Sequence, residues 1–242
     1  MGKYFGTDGV RGRANEGLTL DMSIKIGQYL GWYYGKEKHA KILIGKDTRL
    51  SGDMFELGLA AGATSMGAQV YLLGVCTTPA ISYLVRKERF DCGIMVSASH
   101  NPYYDNGIKC FNHNGEKMEE ELLLEVEKYM DGLTDLDLVT GDHIGEYFEW
   151  EDGLEIYMSW LKECVPVDLS GMKILCDLAN GSATSTAVET LDSLGATVDA
   201  INNSPNGINI NNKCGSTHPE GLQRMMRVLA IDAEKCSRYN HT

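Results

Sequence analysis

Positive charge is scarce in this sequence. Its 242 residues carry 22 lysines and arginines against 34 aspartates and glutamates, a net charge of −12. This balance argues against a general binder of nucleic acid or anionic membranes, although a local basic cluster could still hold a phosphate. No apolar run approaches the ~18–20 residues of a membrane span, and Met1–Gly6 lacks the apolar core of a signal peptide.

Several metal, disulfide and nucleotide motifs are also missing. The seven cysteines are odd in number and include no C-x-x-C pair, which argues against a zinc site or a disulfide framework. Cys92 and Cys176 lie in apolar, strand-like runs, so we expect reduced core thiols and a cytoplasmic protein. Neither G-x-x-x-x-G-K-[ST] nor G-x-G-x-x-G occurs, so a nucleotide-binding loop is unsupported.

What is present is a globular composition with many glycines. Hydrophobic residues make up 43% and charged residues 23%, which excludes wholesale disorder. The 27 glycines predict many tight loops. Apolar strand-like segments alternate with helix-period segments, which predicts α/β sheets with helices on both faces. In the first half, the predicted strands are 41–45, 69–73, 92–96 and 107–111, and the predicted helices begin near residues 20, 52, 78 and 119.

A polar connection over 131–148 divides the chain into two predicted domains, 1–148 and 149–242. The second domain has predicted helices over about 151–163 and 182–194, strands at 172–177 and 196–201, and a last helix from Pro219. KIL at 41–43 recurs at 173–175, and GA-x-V at 67–70 recurs at 195–198, so one strand–helix–strand unit fits twice. An internal repeat and a coincidence between similar α/β units both stay open. Asparagines concentrated between 202 and 212 predict a long ordered loop.

The segment Ser97–Pro102 (SASHNP) directly follows the apolar run CGIMV. In open α/β sheets, ligands bind beyond the carboxyl ends of strands, so this loop is placed for chemistry. Pro102 favours an extended Asn101 and a firm end to the strand. Ser99 precedes a histidine, but adjacent residues rarely have the geometry of a hydrolase triad, and no G-x-S-x-G elbow surrounds this serine. A serine hydrolase is therefore only a distant alternative.

Three further loops contain basic residues at strand ends. Residues 5–13 (FGTDGVRGR) combine three glycines with two arginines, which suits anion binding through backbone N–H groups and guanidinium forks. Residues 45–51 (GKDTRLS) follow another strand, and Lys109 lies in an otherwise apolar strand after Asp-Asn-Gly. Each loop alone is best explained as a solvated turn. Four such loops in an acidic chain together predict a positive pocket for an anionic substrate.

Four segments resemble the α-D-phosphohexomutases: FGTDGVRG, GKDTRLSG, SASHNPYYDNGIK and CGSTHPEGLQ. They occur in the family's order between about residues 3 and 224, and SASHNP with NGIK is the most specific part. Ala98 before S-H-N-P and Ile108 within NGIK favour the glucosamine branch over relatives acting on phosphomannose or phosphoglucose. The resemblance implies two consecutive α/β domains of the phosphohexomutase type, with mixed sheets and helices on both faces. It also implies interconversion of glucosamine 6-phosphate and glucosamine 1-phosphate.

The resemblance implies roles for individual residues. Ser99 would carry a phosphoryl group, donate it to the sugar and take another back, so that one transfer becomes two displacements through a bisphosphate. His100 would line the site, Lys109 would shuttle a proton or balance charge, and Arg11 would steady the phosphate or the base. The residues expected to bind substrate or phosphate are Thr7, Asp8, Lys46, Arg49 and Asn101. For His100 and Arg49, packing behind the site or an ion pair is an equal alternative.

Further implications are Mg²⁺ on the Ser99 phosphate and a sugar 1,6-bisphosphate as activator. The family's metal loop, D-G-D-G-D-R, is missing: no Asp-Gly-Asp occurs, and only Asp232 stands near the expected place. One aspartate and one phosphate make a poor octahedral site. Members of the family are roughly twice this length, so we expect the first two of four domains and a truncated or frameshifted end after Gln223.

Two functions of different classes stay open. The first is a phosphohexomutase chain with little turnover of its own, and the second is a non-catalytic module that binds a phosphosugar. A phosphomannomutase or phosphoglucomutase of the same family, and a chain that folds poorly, are further alternatives. Sugar specificity and oligomeric state also stay open, because the resemblance implies that sugar recognition lies in a third domain.

Overall fold

The computed structural model describes residues 2–7, 9–165 and 167–228. The strands are β1 (Val10–Arg13), β2 (Lys41–Lys46), β3 (Gln69–Val75), β4 (Cys92–Val96), β5 (Asp105–Asn112), β6 (Tyr147–Glu149), β7 (Lys173–Asp177) and β8 (Thr197–Ile201). The helices are α1 (Leu20–Tyr34), α2 (Gly52–Thr64), α3 (Thr78–Lys87), α4 (Glu120–Met130), α5 (Gly153–Cys164), α6 (Ala187–Ser193) and α7 (Glu220–Val228).

Six strands form one mixed sheet in the order β1-β5-β4-β2-β3-β6. β4, β2, β3 and β6 run parallel, whereas β5 pairs antiparallel with both β4 and β1. All residues of β4 are buried. The strand is covered on both faces, which explains why its sequence is a continuous apolar run. The expected α/β class with a mixed sheet is confirmed.

Helices cover both faces of this sheet. Since the side chains of each strand alternate between the faces, neighbouring residues of one strand enter different cores. Ile42 and Ile44 of β2 belong to a core shared with α1, α2 and α4, whereas Leu43 belongs to a second core with α3 and α5. In the second core, Tyr83 stacks on Trp160 with 4.1 Å between the ring centroids. The first sheet is therefore the middle layer of an α/β/α arrangement.

The cysteines of the first sheet are core residues, as their apolar surroundings predict. Cys92 and Cys110 are buried free thiols. Burial raises the pKa of the Cys110 thiol to about 12 and that of Cys92 well above its usual range. Both thiols therefore stay protonated and unreactive near neutral pH. Cys176 lies in β7 and is half-buried.

The second half of the chain contains a smaller parallel unit. β7 and β8 pair in parallel, with Lys173 opposite Thr197 and Asp177 opposite Ile201, and α6 lies between them in the chain. This strand–helix–strand order is also that of β2, α2 and β3. The predicted domain boundary at 148 falls within β6, and α5 still packs on α3, so the contacts of the first sheet continue past it.

Some elements differ from the sequence expectations. β1 and β6 are edge strands in segments whose composition predicts loops, and all three residues of β6 are exposed. Such strands owe their order to pairing with a neighbour, which local sequence does not reveal. The first residues of the helix predicted over 182–194 form a 3-10 turn, Ser182–Ser185, and α6 itself begins only at Ala187. Within the described ranges, no helix combines the length and apolarity needed to cross a membrane.

Helices α1 and α2 approach each other so closely that their contact requires glycine. A Cβ atom on Gly62 would lie 2.1 Å from the carbonyl oxygen of Ile24, and one on Gly27 would lie 2.2 Å from that of Leu59. A side chain at either position would have to push the two helix backbones apart.

We expect Gly62→Ala to lower the free energy of unfolding by about 1–3 kcal/mol, because the methyl group overpacks this contact. Alanine in a helix is otherwise favoured over glycine by ~1 kcal/mol, so a destabilising sign separates the clash from helix propensity. Urea unfolding followed by circular dichroism measures the change. Ala61→Ser, on the exposed face of α2, is the matched control. A G62A chain as stable as the wild type would contradict the close approach.

Candidate active site

The first unit is the six-stranded sheet with helices α1 to α5, and the second unit comprises the elements and loops from β7 onward. A cleft opens between the carboxyl end of the first sheet and the second unit. Its volume is about 400 Å³. From the first unit, Ser99, His100 and Lys109 line it, and from the second unit, Asp177 and Asn211 do so. The cleft thus lies where strand-end loops of both units meet, which is where ligands bind in open α/β sheets.

A second cavity, of about 420 Å³, adjoins the cleft and shares Ser99 and Lys109 with it. This cavity adds Thr7, Arg11 and Lys117 to the lining. Arg11 of β1 lies opposite Gly107 of β5, and Lys109 is two residues further along β5. Since alternate residues of a strand share a face, Arg11 and Lys109 lie on the same face of the sheet. Ser99 therefore lies where the two cavities join, and Arg11, Lys109 and Lys117 line the second cavity with it.

Ser99 has a backbone conformation that serine rarely adopts. Its φ of 57° lies in the left-handed region, which costs a non-glycine residue roughly 1–2 kcal/mol. The Ser99 N–H donates to Oγ of Ser97 at 3.1 Å, and the Asn101 N–H donates to the carbonyl oxygen of Ala98 at 3.1 Å. These bonds make a tight turn. The Ser99 side chain is exposed, so its hydroxyl is accessible to a ligand in either cavity.

Arg49 holds this turn from inside the protein. Its buried guanidinium donates from Nε to Asp47 at 3.0 Å, from Nη2 to the carbonyl oxygens of Ser99 and Asn101 at 2.8 and 3.0 Å, and from Nη1 to those of Asn101 and Pro102 at 3.1 and 2.6 Å. Burial lowers the pKa of the guanidinium, and Asp47 opposes that shift, so Arg49 keeps its charge. Each N–H of the guanidinium has an acceptor in the protein, and this arrangement matches the packing and ion-pair alternative to a phosphate contact.

Asn101 and Lys46, two further residues expected to bind phosphate, also have partners within the protein. Asn101 Nδ2 donates to Asp105 at 3.0 Å. Lys46 Nζ binds Asp53 at 2.7 Å and also the buried carboxylate of Glu56. Burial acts to lower the pKa of Lys46, but its hydrogen bonds with these two carboxylates raise it overall. The Lys46 charge is therefore balanced inside the fold.

The loop after β2 connects the first unit to the second. The Thr48 hydroxyl donates to the carbonyl oxygen of Asn180 at 2.5 Å. The Leu50 N–H donates to the carbonyl oxygen of Gly207 at 2.8 Å. These two hydrogen bonds hold the second unit against the loop after β2.

Asn211 connects the second unit to the turn of Ser99. Its Nδ2 donates to the carbonyl oxygens of Ser99 and Asn101, at 2.9 and 3.1 Å. The sequence does not single out Asn211, because the asparagine-rich stretch predicts an ordered loop without showing which residue reaches the cleft. Lys117 and Thr78 line the second cavity and are also absent from the expected site residues.

The expected site residues thus fall into three groups. Those that line the cavities are Thr7, Arg11, Ser99, His100 and Lys109. Those held by other protein groups are Lys46, Arg49 and Asn101. Asp8 and Asp232 lie outside the described residues.

The residues that the structure describes do not fit a Mg²⁺ site. Over 2–7, 9–165 and 167–228, no group of three or more His, Cys, Asp or Glu side chains could hold a metal ion. Asp47, the buried carboxylate of the cleft, already binds Arg49. Mg²⁺ requires a nearly octahedral set of oxygen ligands, and a phosphate on Ser99 would supply only part of it.

A solved structure shares the fold of this chain, and a family model matches more than half of its sequence. An X-ray structure of a phosphoglucomutase/phosphomannomutase family protein from Burkholderia thailandensis superposes with a TM-score of 0.76. The two sequences are 23% identical, and the match covers 93% of this chain and 49% of that chain. The family model for phosphoglucomutase/phosphomannomutase, alpha/beta/alpha domain I, matches residues 2–136, which include Arg11, Ser99 and Lys109. The chain belongs to this family.

Two relatives with higher sequence identity are both named phosphoglucosamine mutase. A phosphoglucosamine mutase of Lachnospira eligens is 52% identical over 236 residues, which are 96% of this chain and 52% of that protein. Another, from Lachnoclostridium phytofermentans, is 50% identical over 233 residues, again 96% of this chain and 52% of that protein. The chain therefore spans about half the length of these relatives.

We expect Arg49→Lys to lower the free energy of unfolding by about 2–4 kcal/mol. One ammonium group cannot satisfy Asp47 and three carbonyl oxygens together, and buried acceptors lose their partners. Arg13→Lys is the matched control, because Arg13 is 58% exposed beside Glu16 and should change stability by less than ~0.5 kcal/mol. Urea unfolding measures both variants. An R49K loss no larger than that of R13K would refute the structural role of Arg49.

Proposed function

We propose that this chain is the phosphoserine-bearing part of a phosphoglucosamine mutase, which interconverts glucosamine 6-phosphate and glucosamine 1-phosphate. The relatives of that name, at 52% and 50% identity, support this substrate class over phosphomannose or phosphoglucose. The observation that carries the reaction is the position of Ser99. Its exposed hydroxyl projects from a strained turn where two cavities join.

The transfer proceeds in two displacements. A hydroxyl oxygen of the sugar phosphate bonds to the phosphorus on Ser99 while the bond from phosphorus to Ser99 Oγ breaks, and the hydroxyl proton leaves to a base. The product is the 1,6-bisphosphate. The bisphosphate then reorients in the cleft. Ser99 Oγ bonds to the phosphorus of the other phosphoryl group while the bond from that phosphorus to the sugar oxygen breaks, and the sugar oxygen takes up a proton.

The cations beside Ser99 support this chemistry. Lys109 and Arg11 lie on one face of the sheet and line the cavity that contains Ser99. Positive groups fixed near a transferring phosphoryl group stabilise the charge that develops on its oxygens. Lys109 also has an amine that can exchange a proton with the sugar hydroxyl, and His100 lines the cleft as a contact for the sugar phosphate.

Two further components would take part in the reaction, a phosphoryl donor and a metal ion. A sugar 1,6-bisphosphate would load an unphosphorylated Ser99, and Mg²⁺ would bind the Ser99 phosphate together with ligands that the described residues do not provide. The cytoplasm is the proposed compartment, and the buried free thiols of Cys92 and Cys110 support a reducing environment.

The first test is phosphorylation of the full chain. After incubation with glucose 1,6-bisphosphate, intact-mass measurement should show one added phosphate on the wild type and none on Ser99→Ala. Ser216→Ala removes another serine hydroxyl from the same cleft and should keep the phosphate. Phosphate on S99A would overturn the assignment of Ser99, and its absence from the wild type would overturn the role of phosphoryl carrier.

A non-catalytic phosphosugar-binding module is the second candidate. One observation favours it: the described part of the chain holds no group of side chains suited to a metal. Both candidates predict that glucosamine 6-phosphate binds in the cleft, but only the mutase predicts phosphoryl exchange at Ser99.

Turnover distinguishes the two candidates further. In a coupled assay with Mg²⁺ and a sugar 1,6-bisphosphate, we expect the chain alone to turn over far more slowly than an intact phosphoglucosamine mutase, because metal ligands are lacking in the described residues. The S99A chain defines the background rate. Rates close to those of an intact mutase would contradict this expectation. Binding of glucosamine 6-phosphate, seen by calorimetry, without any exchange at Ser99 would favour the binding module.

A further inference from the structure

The carbonyl oxygen of Ser99 receives hydrogen bonds from both units. Arg49 Nη2 of the first unit donates to it at 2.8 Å, and Asn211 Nδ2 of the second unit donates to it at 2.9 Å. A carbonyl oxygen has two lone pairs, so these two donors satisfy it. The carbonyl oxygen of Asn101 also accepts from both residues: from Arg49 Nη1 and Nη2 at 3.1 and 3.0 Å, and from Asn211 Nδ2 at 3.1 Å.

Asn211 is itself anchored to the end of a strand. Its N–H donates to the carbonyl oxygen of Ala179 at 2.9 Å. The Ala179 N–H in turn donates to Asp177, the last residue of β7, at 3.0 Å. Asp177 also accepts a hydrogen bond from the Gly215 N–H at 2.9 Å. The amide of Asn211 is therefore held by the second sheet and not by a loosely attached loop.

We propose that Asn211 is a positioning residue for phosphoryl transfer, which acts by holding the turn of Ser99 from the second unit. This inference rests on the proposed function of Ser99 as the phosphoryl carrier. A residue in the left-handed region keeps that conformation only when its surroundings impose it. Arg49, in the loop after β2, and Asn211, in the second unit, both hold the Ser99 backbone in this conformation. The placement of the second unit is therefore coupled to the orientation of the reactive hydroxyl.

The chemistry of the side chain explains why asparagine suits this position. An amide Nδ2 can donate two hydrogen bonds, one to each carbonyl oxygen. Asn211 has a φ of 57°, a conformation that asparagine tolerates better than most residues. Aspartate has the same shape and also tolerates this φ, but its oxygens would repel the two carbonyl oxygens and a nearby phosphate. Glycine tolerates the φ and removes both hydrogen bonds.

The test measures phosphate uptake by Ser99 in full-length Asn211→Gly and Asn211→Asp chains, with glucose 1,6-bisphosphate as the donor. At saturating donor, we expect the rate for N211G to fall about tenfold, the effect of losing two ordinary hydrogen bonds, and the rate for N211D to fall further. The donor concentration at half-maximal rate should change by less than about twofold, because Asn211 positions the serine and does not bind the donor.

Two further measurements separate positioning from general stability. Thr48→Val is the matched control, since it removes another hydrogen bond between the units, that to Asn180, and should leave the uptake rate unchanged. All rates are compared at a temperature where circular dichroism shows every variant folded. Hydrogen exchange of residues 99–102 should be faster in N211G than in T48V.

The outcomes are distinguishable. If the wild type takes up no phosphate, the proposed function fails and this inference fails with it. If the wild type takes up phosphate and both Asn211 variants do so at the same rate, only the inference is overturned. An equal loss in N211G and T48V would also overturn it, because contact between the units in general would then explain the effect.

Discussion

A buried guanidinium, that of Arg49, connects the loops that follow two parallel strands. It pairs with Asp47 after β2 and donates to the carbonyl oxygens of the turn after β4. An unpaired charge would be costly in this buried position, so guanidinium, carboxylate and carbonyl oxygens are stable only together. The turn that contains the strained Ser99 is held by this arrangement.

The rest of the site is built around that turn. Arg11 and Lys109 reach it because β1 and β5 pair in a register that puts both side chains on one face. The second unit reaches it through Asn211, and a separate hydrogen bond from Thr48 to Asn180 also joins the two units. The net charge of −12 is therefore unevenly distributed, since the second cavity is lined by Arg11, Lys109 and Lys117 and, among the described residues, by no carboxylate.

Sequence patterns predicted the parts of the fold that are encoded locally. The apolar runs of β2 and β4 and the helix expected to begin near residue 20 correspond to observed elements. The edge strands β1 and β6 were not predicted, because their order comes from strand pairing. The basic loop after β2 was expected to contact phosphate, and the carboxylates that Lys46 and Arg49 bind inside the protein were not identified from the sequence. A cation in a loop can bind a ligand or a nearby carboxylate, and only the fold shows that Glu56 and Asp47 are within reach.

The sequence by itself determined the class of fold, the strand end that bears Ser99, and the cationic residues available near it, since each follows from local periodicity or a contiguous motif. Only the tertiary structure decided how that serine is held. Asn211 is 112 residues away from Ser99 in the chain, and it contacts the turn because two separately formed units pack against each other. Hydrogen bonds of this kind depend on the relative placement of two sheets, a property that no local sequence pattern carries.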